Sequence, residues 1–97
     1  MLGIGPKADL AAVMARGGII VDVRTPGEYA GGHLKNSINI PLASIQSQLS
    51  KLKKDVPVIT CCASGMRSRS AMSTLIALGF KEVHNGGSWY GLKKYDR

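Results

Sequence analysis

The chain has 97 residues, a formal charge of +7, 44% hydrophobic and 20% charged residues, which suits one compact domain and excludes a disordered chain. No apolar run approaches the ~20 residues that a membrane-spanning helix needs, and Met1-Leu2-Gly3-Ile4-Gly5-Pro6 lacks the basic start, apolar stretch and cleavage site of a signal peptide. No membrane partner is expected, and the location is expected to be cytoplasmic, or periplasmic where a leader has been removed.

The basic residues are dispersed, with no run longer than two, and one Trp, three Tyr and one Phe form no stacking pattern. The charge therefore fits a small anionic substrate better than a nucleic acid.

In chain order, residues 8–16 carry Leu10, Val13 and Met14 at helical spacing and are stopped by Gly17-Gly18. Ile19-Ile20-Val21-Asp22-Val23 is a short β-branched run, the pattern of a strand buried on both faces. Thr25-Pro26-Gly27-Glu28-Tyr29 starts a helical turn, with Thr25 as cap and Pro26 at the first helical position.

Ser37-Ile38-Asn39-Ile40 reads as a second strand, ended by Pro41, and Leu42, Ile45, Leu49 and Leu52 then share one helical face. Pro57-Val58-Ile59-Thr60-Cys61 is a third strand, followed by a glycine-containing loop and a helix over residues 70–78, closed by Gly79. Residues 81–84 form the last strand, Asn85-Gly86-Gly87-Ser88 a turn, and residues 89–94 a terminal helix. This alternation predicts an α/β domain, a parallel sheet with helices on both faces. Ligands in such sheets bind outside the carboxyl ends of the strands, where the loop after the third strand lies.

Cys61 and Cys62 are adjacent. A bridge between neighbours staples nothing distant, so they are not a disulfide scaffold. Without histidines at ligand spacing they are not a zinc site, and no metal or cofactor is expected. A reactive thiol or two buried structural ones remain. Alternation along a strand turns Cys61 into the core and leaves Cys62 at the loop.

A loop curled over a helix start turns backbone N–H groups inward, and Gly65 and Arg67 suit such a cradle. These groups lower a thiol's pKa from ~8.5 toward the range in which the thiolate is the main species at neutral pH. Cys62 is therefore the candidate catalytic nucleophile, with a buried inert thiol as the alternative.

Val21-Asp22-Val23-Arg24-Thr25-Pro26-Gly27-Glu28-Tyr29, Gly32-His33-Leu34-Lys35-Asn36-Ser37-Ile38-Asn39-Ile40-Pro41, Cys62-Ala63-Ser64-Gly65-Met66-Arg67-Ser68, Leu78-Gly79-Phe80 and Gly86-Gly87-Ser88-Trp89, in that order, resemble the single-domain rhodanese-like sulfurtransferases over nearly the whole chain. The resemblance implies a three-layer domain with four to five short parallel strands and an enzyme of the thiosulfate sulfurtransferase type. In it Cys62 takes a sulfane sulfur, becomes a persulfide, and passes the sulfur to cyanide, a thiol or a protein acceptor. Ala63, Ser64, Gly65, Met66, Arg67 and Ser68 would bind the persulfide and the donor's anionic group.

One domain over residues 1–97 and a monomer are expected. Two departures stand out. The family's N-terminal strand is reduced to the region of Ile4, and Met66 stands where many relatives carry a basic or polar residue. The second makes the rim apolar and favours a larger persulfide donor or a protein partner over thiosulfate.

Among the other matched residues, Asp22 is expected to accept hydrogen bonds from nearby loops, Arg24 to pair with Glu28 one turn on, His33 to make a structural hydrogen bond, Trp89 to cap the core and Arg69 to face solvent. Two further readings stay open. A phosphatase or arsenate reductase of related fold would place five residues between cysteine and arginine, whereas four separate Cys62 from Arg67. A sulfur carrier or protein-interaction module would use the same cysteine without turnover.

Overall fold

The computed structural model describes residues 9–96. In chain order, the elements are α1 (Leu10–Ala15), β1 (Ile19–Asp22), α2 (Pro26–Ala30), β2 (Ser37–Asn39), β3 (Val58–Cys62), α3 (Met66–Ala77) and β4 (Val83–Ser88), with 3-10 segments at Leu42–Ser44, Gln46–Lys51 and Trp89–Tyr95. The sheet order is β2-β1-β3-β4 and every pairing is parallel. Any strand in the region of Ile4 lies outside the described residues.

Alternation along the strands builds two cores. Val21, Val23, Val58 and Cys62 pack with Ile45 and with Ala71, Met72 and Leu75 of α3. On the other face Ile20, Ile59 and Cys61 pack with Val13 of α1 and with Leu92. All five residues of β3 are buried, as expected for a strand covered on both sides. Its carboxyl end, at Cys62, lies directly before the turn into α3.

Three local expectations are corrected. The stretch from Leu42 to Leu52 is not one helix but two 3-10 segments, the second of them kinked at Gln48 (φ −118°, ψ 18°). The Ser44 and Ser47 hydroxyls donate to the Pro41 and Ser44 carbonyls, competing with a regular helical ladder. The apolar spacing still serves, since Ile45 is buried and Leu42, Leu49 and Leu52 pack on the same core.

The helix expected over residues 70–78 begins at Met66, because its first turn finds an acceptor that lies before the helix, at the end of β3. The turn expected at Asn85-Gly86-Gly87-Ser88 is instead the second half of β4. A Cβ at Gly86 would lie 2.8 Å from Ile59 Cγ2, 2.9 Å from Leu92 Cδ1 and 2.9 Å from the Thr60 carbonyl oxygen, so this glycine permits close approach rather than chain reversal. The terminal helix expected over residues 89–94 is present as the 3-10 segment Trp89–Tyr95.

Gly86→Ala should therefore cost about 1–3 kcal/mol by overpacking, read as a lower urea midpoint. Gly27→Ala, with open space around it, should change stability by less than about 0.5 kcal/mol or improve it.

Candidate functional site

The turn from β3 into α3 is set by Gly65, whose φ of 102° lies in the left-handed region. Its α-carbon faces β4, where a Cβ would make van der Waals contact with Gly87 Cα at 3.4 Å. Gly65 is the N-cap of α3 and has no side chain with which to cap it. Cys62 Sγ takes that place: the Gly65 amide donates to it at 3.0 Å and the Ser68 amide at 3.4 Å. A sulfur so placed faces the positive end of the α3 dipole.

Ser68 is buried, and its Oγ lies 3.5 Å from Sγ, 2.6 Å from Asn85 Oδ1 and 3.0 Å from the Gly65 carbonyl oxygen. With the thiol protonated, S–H donates to Ser68 Oγ. With the thiolate, the hydroxyl can turn and donate to sulfur. Asn85 accepts from Ser68 and from the Gly87 amide, and donates to the Gly65 carbonyl, bracing the loop from β4. Thr60 Oγ1 donates to the Ser68 carbonyl at 2.8 Å and ties β3 to α3.

The two cysteines titrate in opposite directions. Burial alone pushes the Cys62 thiol up, but hydrogen bonds from the Ser68 hydroxyl and from the Ser68, Gly65 and Ser64 amides outweigh it, and the net shift is downward. Cys61, one residue earlier on the opposite face, has no such donors. Burial first, and then the Asp22 carboxylate, push it up to about 12. Cys61 is a thiol at every physiological pH, and both cysteines are unbridged.

Of the six loop residues singled out from sequence, Ala63 and Ser64 are exposed on the bend, Gly65 makes the turn, and Met66, Arg67 and Ser68 are the first three residues of α3. Met66 is 78% exposed. Arg67 does not turn to the sulfur. Its two terminal nitrogens donate to Glu28 Oε1 and Oε2 at 2.7 and 2.9 Å.

The expected Arg24–Glu28 ion pair does not form; Arg24 NH1 donates only to the Glu28 carbonyl oxygen, at 3.4 Å. Arg24 is only 5% exposed and is held by Asp22 at 2.8–3.0 Å. Its NH2 also donates to the Gly32 carbonyl, and its guanidinium lies over the Trp89 ring, 4.6 Å from the centroid. A buried arginine takes the carboxylate that is buried with it, which leaves Glu28 for Arg67.

Asp22 thus accepts from a loop, as expected, although the donor is Arg24. His33 Nδ1 bonds the Tyr29 carbonyl oxygen at 2.7 Å and its ring stacks on Tyr29, a structural role. Trp89 packs on the second core. Sequence reasoning missed Asn85 and the Glu28–Arg67 pair, whose members are 39 residues apart. The only local signal was Glu28 three residues after Thr25, which marks a helix cap.

Iodoacetamide should modify Cys62 in the native protein with a pH midpoint below the ~8.5 of a free thiol, and Cys61 only after denaturation. Ser68→Ala should move that midpoint upward, because the thiolate loses a donor. An unshifted midpoint in the Ser68→Ala variant would remove Ser68 from this account.

A family model described as a rhodanese-like domain matches residues 7–94. Thiosulfate sulfurtransferase GlpE of Pseudomonas entomophila is 32% identical over 82 residues, covering 84% of this chain and 74% of that protein. The Bacillus subtilis protein YqhL is 36% identical over 66 residues, 68% of this chain, and that match spans only 52% of YqhL. A rhodanese-related protein from Thermoplasma volcanium superposes with a TM-score of 0.72 at 30% identity, covering 92% of this chain and 89% of that one. With its parallel α/β sheet and its cysteine loop at the start of α3, the chain belongs to the rhodanese-like sulfurtransferase family.

Proposed function

We propose that Cys62 is the nucleophile of a sulfur transfer in two half-reactions. The thiolate attacks the outer sulfur of a donor, the donor's sulfur bond breaks, and the leaving group departs with the electron pair. The resulting Cys62 persulfide then gives its terminal sulfur to a thiophilic acceptor such as cyanide or a thiol, and the thiolate returns. The observation that carries this reading is the convergence of the Gly65 and Ser68 amides on one sulfur atom at the start of α3, with the Ser68 hydroxyl oxygen 3.5 Å away.

Those donors stabilise the attacking thiolate. A terminal sulfur one bond farther out would meet the remaining N–H groups of the Ala63–Met66 turn, in the manner of an oxyanion hole. The turn is short for a phosphoryl group, and Arg67 is committed to Glu28, so the arrangement favours sulfur over phosphate.

A protein donor or acceptor has one observation in its favour. Met66 and Tyr90, 78% and 67% exposed, are the exposed large hydrophobic residues among those described. Met66 follows Gly65, and Tyr90 lies three residues after Gly87, the neighbour that Gly65 faces. The exposed Met66 side chain, one residue past the turn, suits an apolar surface brought up by a partner.

Incubation with thiosulfate, and separately with glutathione persulfide, should add one sulfur atom to the intact mass of wild-type protein and of Cys61→Ser, and none to Cys62→Ser. Folded wild-type protein that stays unmodified with both donors would sink the proposal. Turnover of an aryl phosphate that depends on Cys62 would replace it with the phosphatase reading.

A further inference from the structure

The charges at the mouth of the site are already matched. Glu28 is anchored independently of Arg67: it is the third residue of α2 and closes a capping box, accepting from the Thr25 amide at 3.0 Å while its own amide donates to Thr25 Oγ1. Arg67 is pinned on this fixed carboxylate by two hydrogen bonds, the geometry that gives an arginine–carboxylate pair its directionality.

The Arg67 guanidinium and the Thr25 amide hold the Glu28 carboxyl down at about 2, so the pair stays charged at any physiological pH. The other arginine at this end, Arg24, is committed to Asp22. Arg69, two residues beyond Arg67, faces a different side of α3. Arg24 and Arg67 therefore bring matched rather than free charges to this end of the sheet.

We propose that Glu28 is a specificity-determining residue. By holding Arg67 in a neutral pair, it withholds a free cation from dianionic sulfur donors and turns the site toward organic persulfides, RS–SH. The proposal rests on Cys62 being the sulfur acceptor.

The two donors differ in the charge that the site must bear. With thiosulfate, Cys62–S⁻ attacks the outer sulfur, the sulfur–sulfur bond breaks, and sulfite leaves as a dianion, so the thiolate and the donor bring three negative charges together. With RS–SH the same bond forms, the bond between the two donor sulfurs breaks, and RS⁻ leaves and takes the proton that the transferred S–H gives up, so the reacting sulfurs of the protonated donor and Cys62 carry one negative charge throughout. Neither route changes the overall redox state. An unpaired guanidinium two residues from Gly65 would offset much of the first burden and little of the second.

The test is the rate of Cys62 persulfidation, followed by quenched intact mass spectrometry with thiosulfate and with glutathione persulfide in parallel. Glu28→Gln keeps a residue that can close the capping box and removes the charge. It should raise the ratio of thiosulfate to persulfide loading rates by roughly fivefold or more. The double variant Glu28→Gln/Arg67→Ala should lose that gain.

An unchanged or lower ratio in Glu28→Gln, or a gain that survives loss of Arg67, overturns the proposal while leaving Cys62 as sulfur acceptor. No loading of wild-type protein by either donor overturns both. A measurement on the wild type alone gives a second check. Millimolar inorganic sulfate should protect Cys62 from iodoacetamide only weakly, whereas strong protection would reveal a free cation site and overturn the proposal.

Discussion

The start of α3 lacks a capping side chain of its own, and the sulfur of Cys62 supplies the missing acceptor. Gly65 suits the left-handed turn at φ 102°, and so it cannot also cap the helix with a side chain. The acceptor comes from the end of β3 instead. Helix start, loop shape and thiol ionisation are consequently one arrangement: the amides that need a partner are the groups that stabilise a thiolate. A change at Gly65, Ser68 or Asn85 would disturb all three together.

The contrast between the two cysteines shows how local this effect is. Cys61 and Cys62 are both fully buried, are neighbours in sequence, and lie on the same strand. Alternation puts Cys61 on the face shared with Asp22, where burial and a carboxylate oppose ionisation. It puts Cys62 beneath α3, where four hydrogen bonds overcome the cost of burial. Burial by itself does not decide whether a cysteine is reactive; the donors within reach do.

Around that centre the chain spends its charges in pairs. Asp22 and Arg24, one of them fully buried and the other nearly so, need each other, since either alone would leave an uncompensated charge in the core. Their pair joins the end of β1 to the Gly32 carbonyl and to the face of Trp89. That arrangement frees Glu28 to meet Arg67 at the rim. The buried pair thus influences the electrostatics of the site without touching the sulfur.

Much of this was legible in the residues themselves. The short β-branched runs, alternating with helical spacings, determined the parallel α/β class. Thr25-Pro26-Gly27-Glu28 determined the start of α2, and the alternation of Cys61 and Cys62 determined which thiol enters the loop. These features depend on neighbours within a few positions, and strand and helix periodicity records them directly.

Tertiary structure decided what depends on distant partners. It started α3 four residues earlier than its composition suggested, because the capping acceptor is a sulfur outside the helix. It extended β4 through Gly86 and Gly87, and at Gly86 β3 and Leu92 leave no room for a side chain. It gave Arg24 to Asp22 and Arg67 to Glu28, because burial, not helical spacing, chooses the partner of a charge.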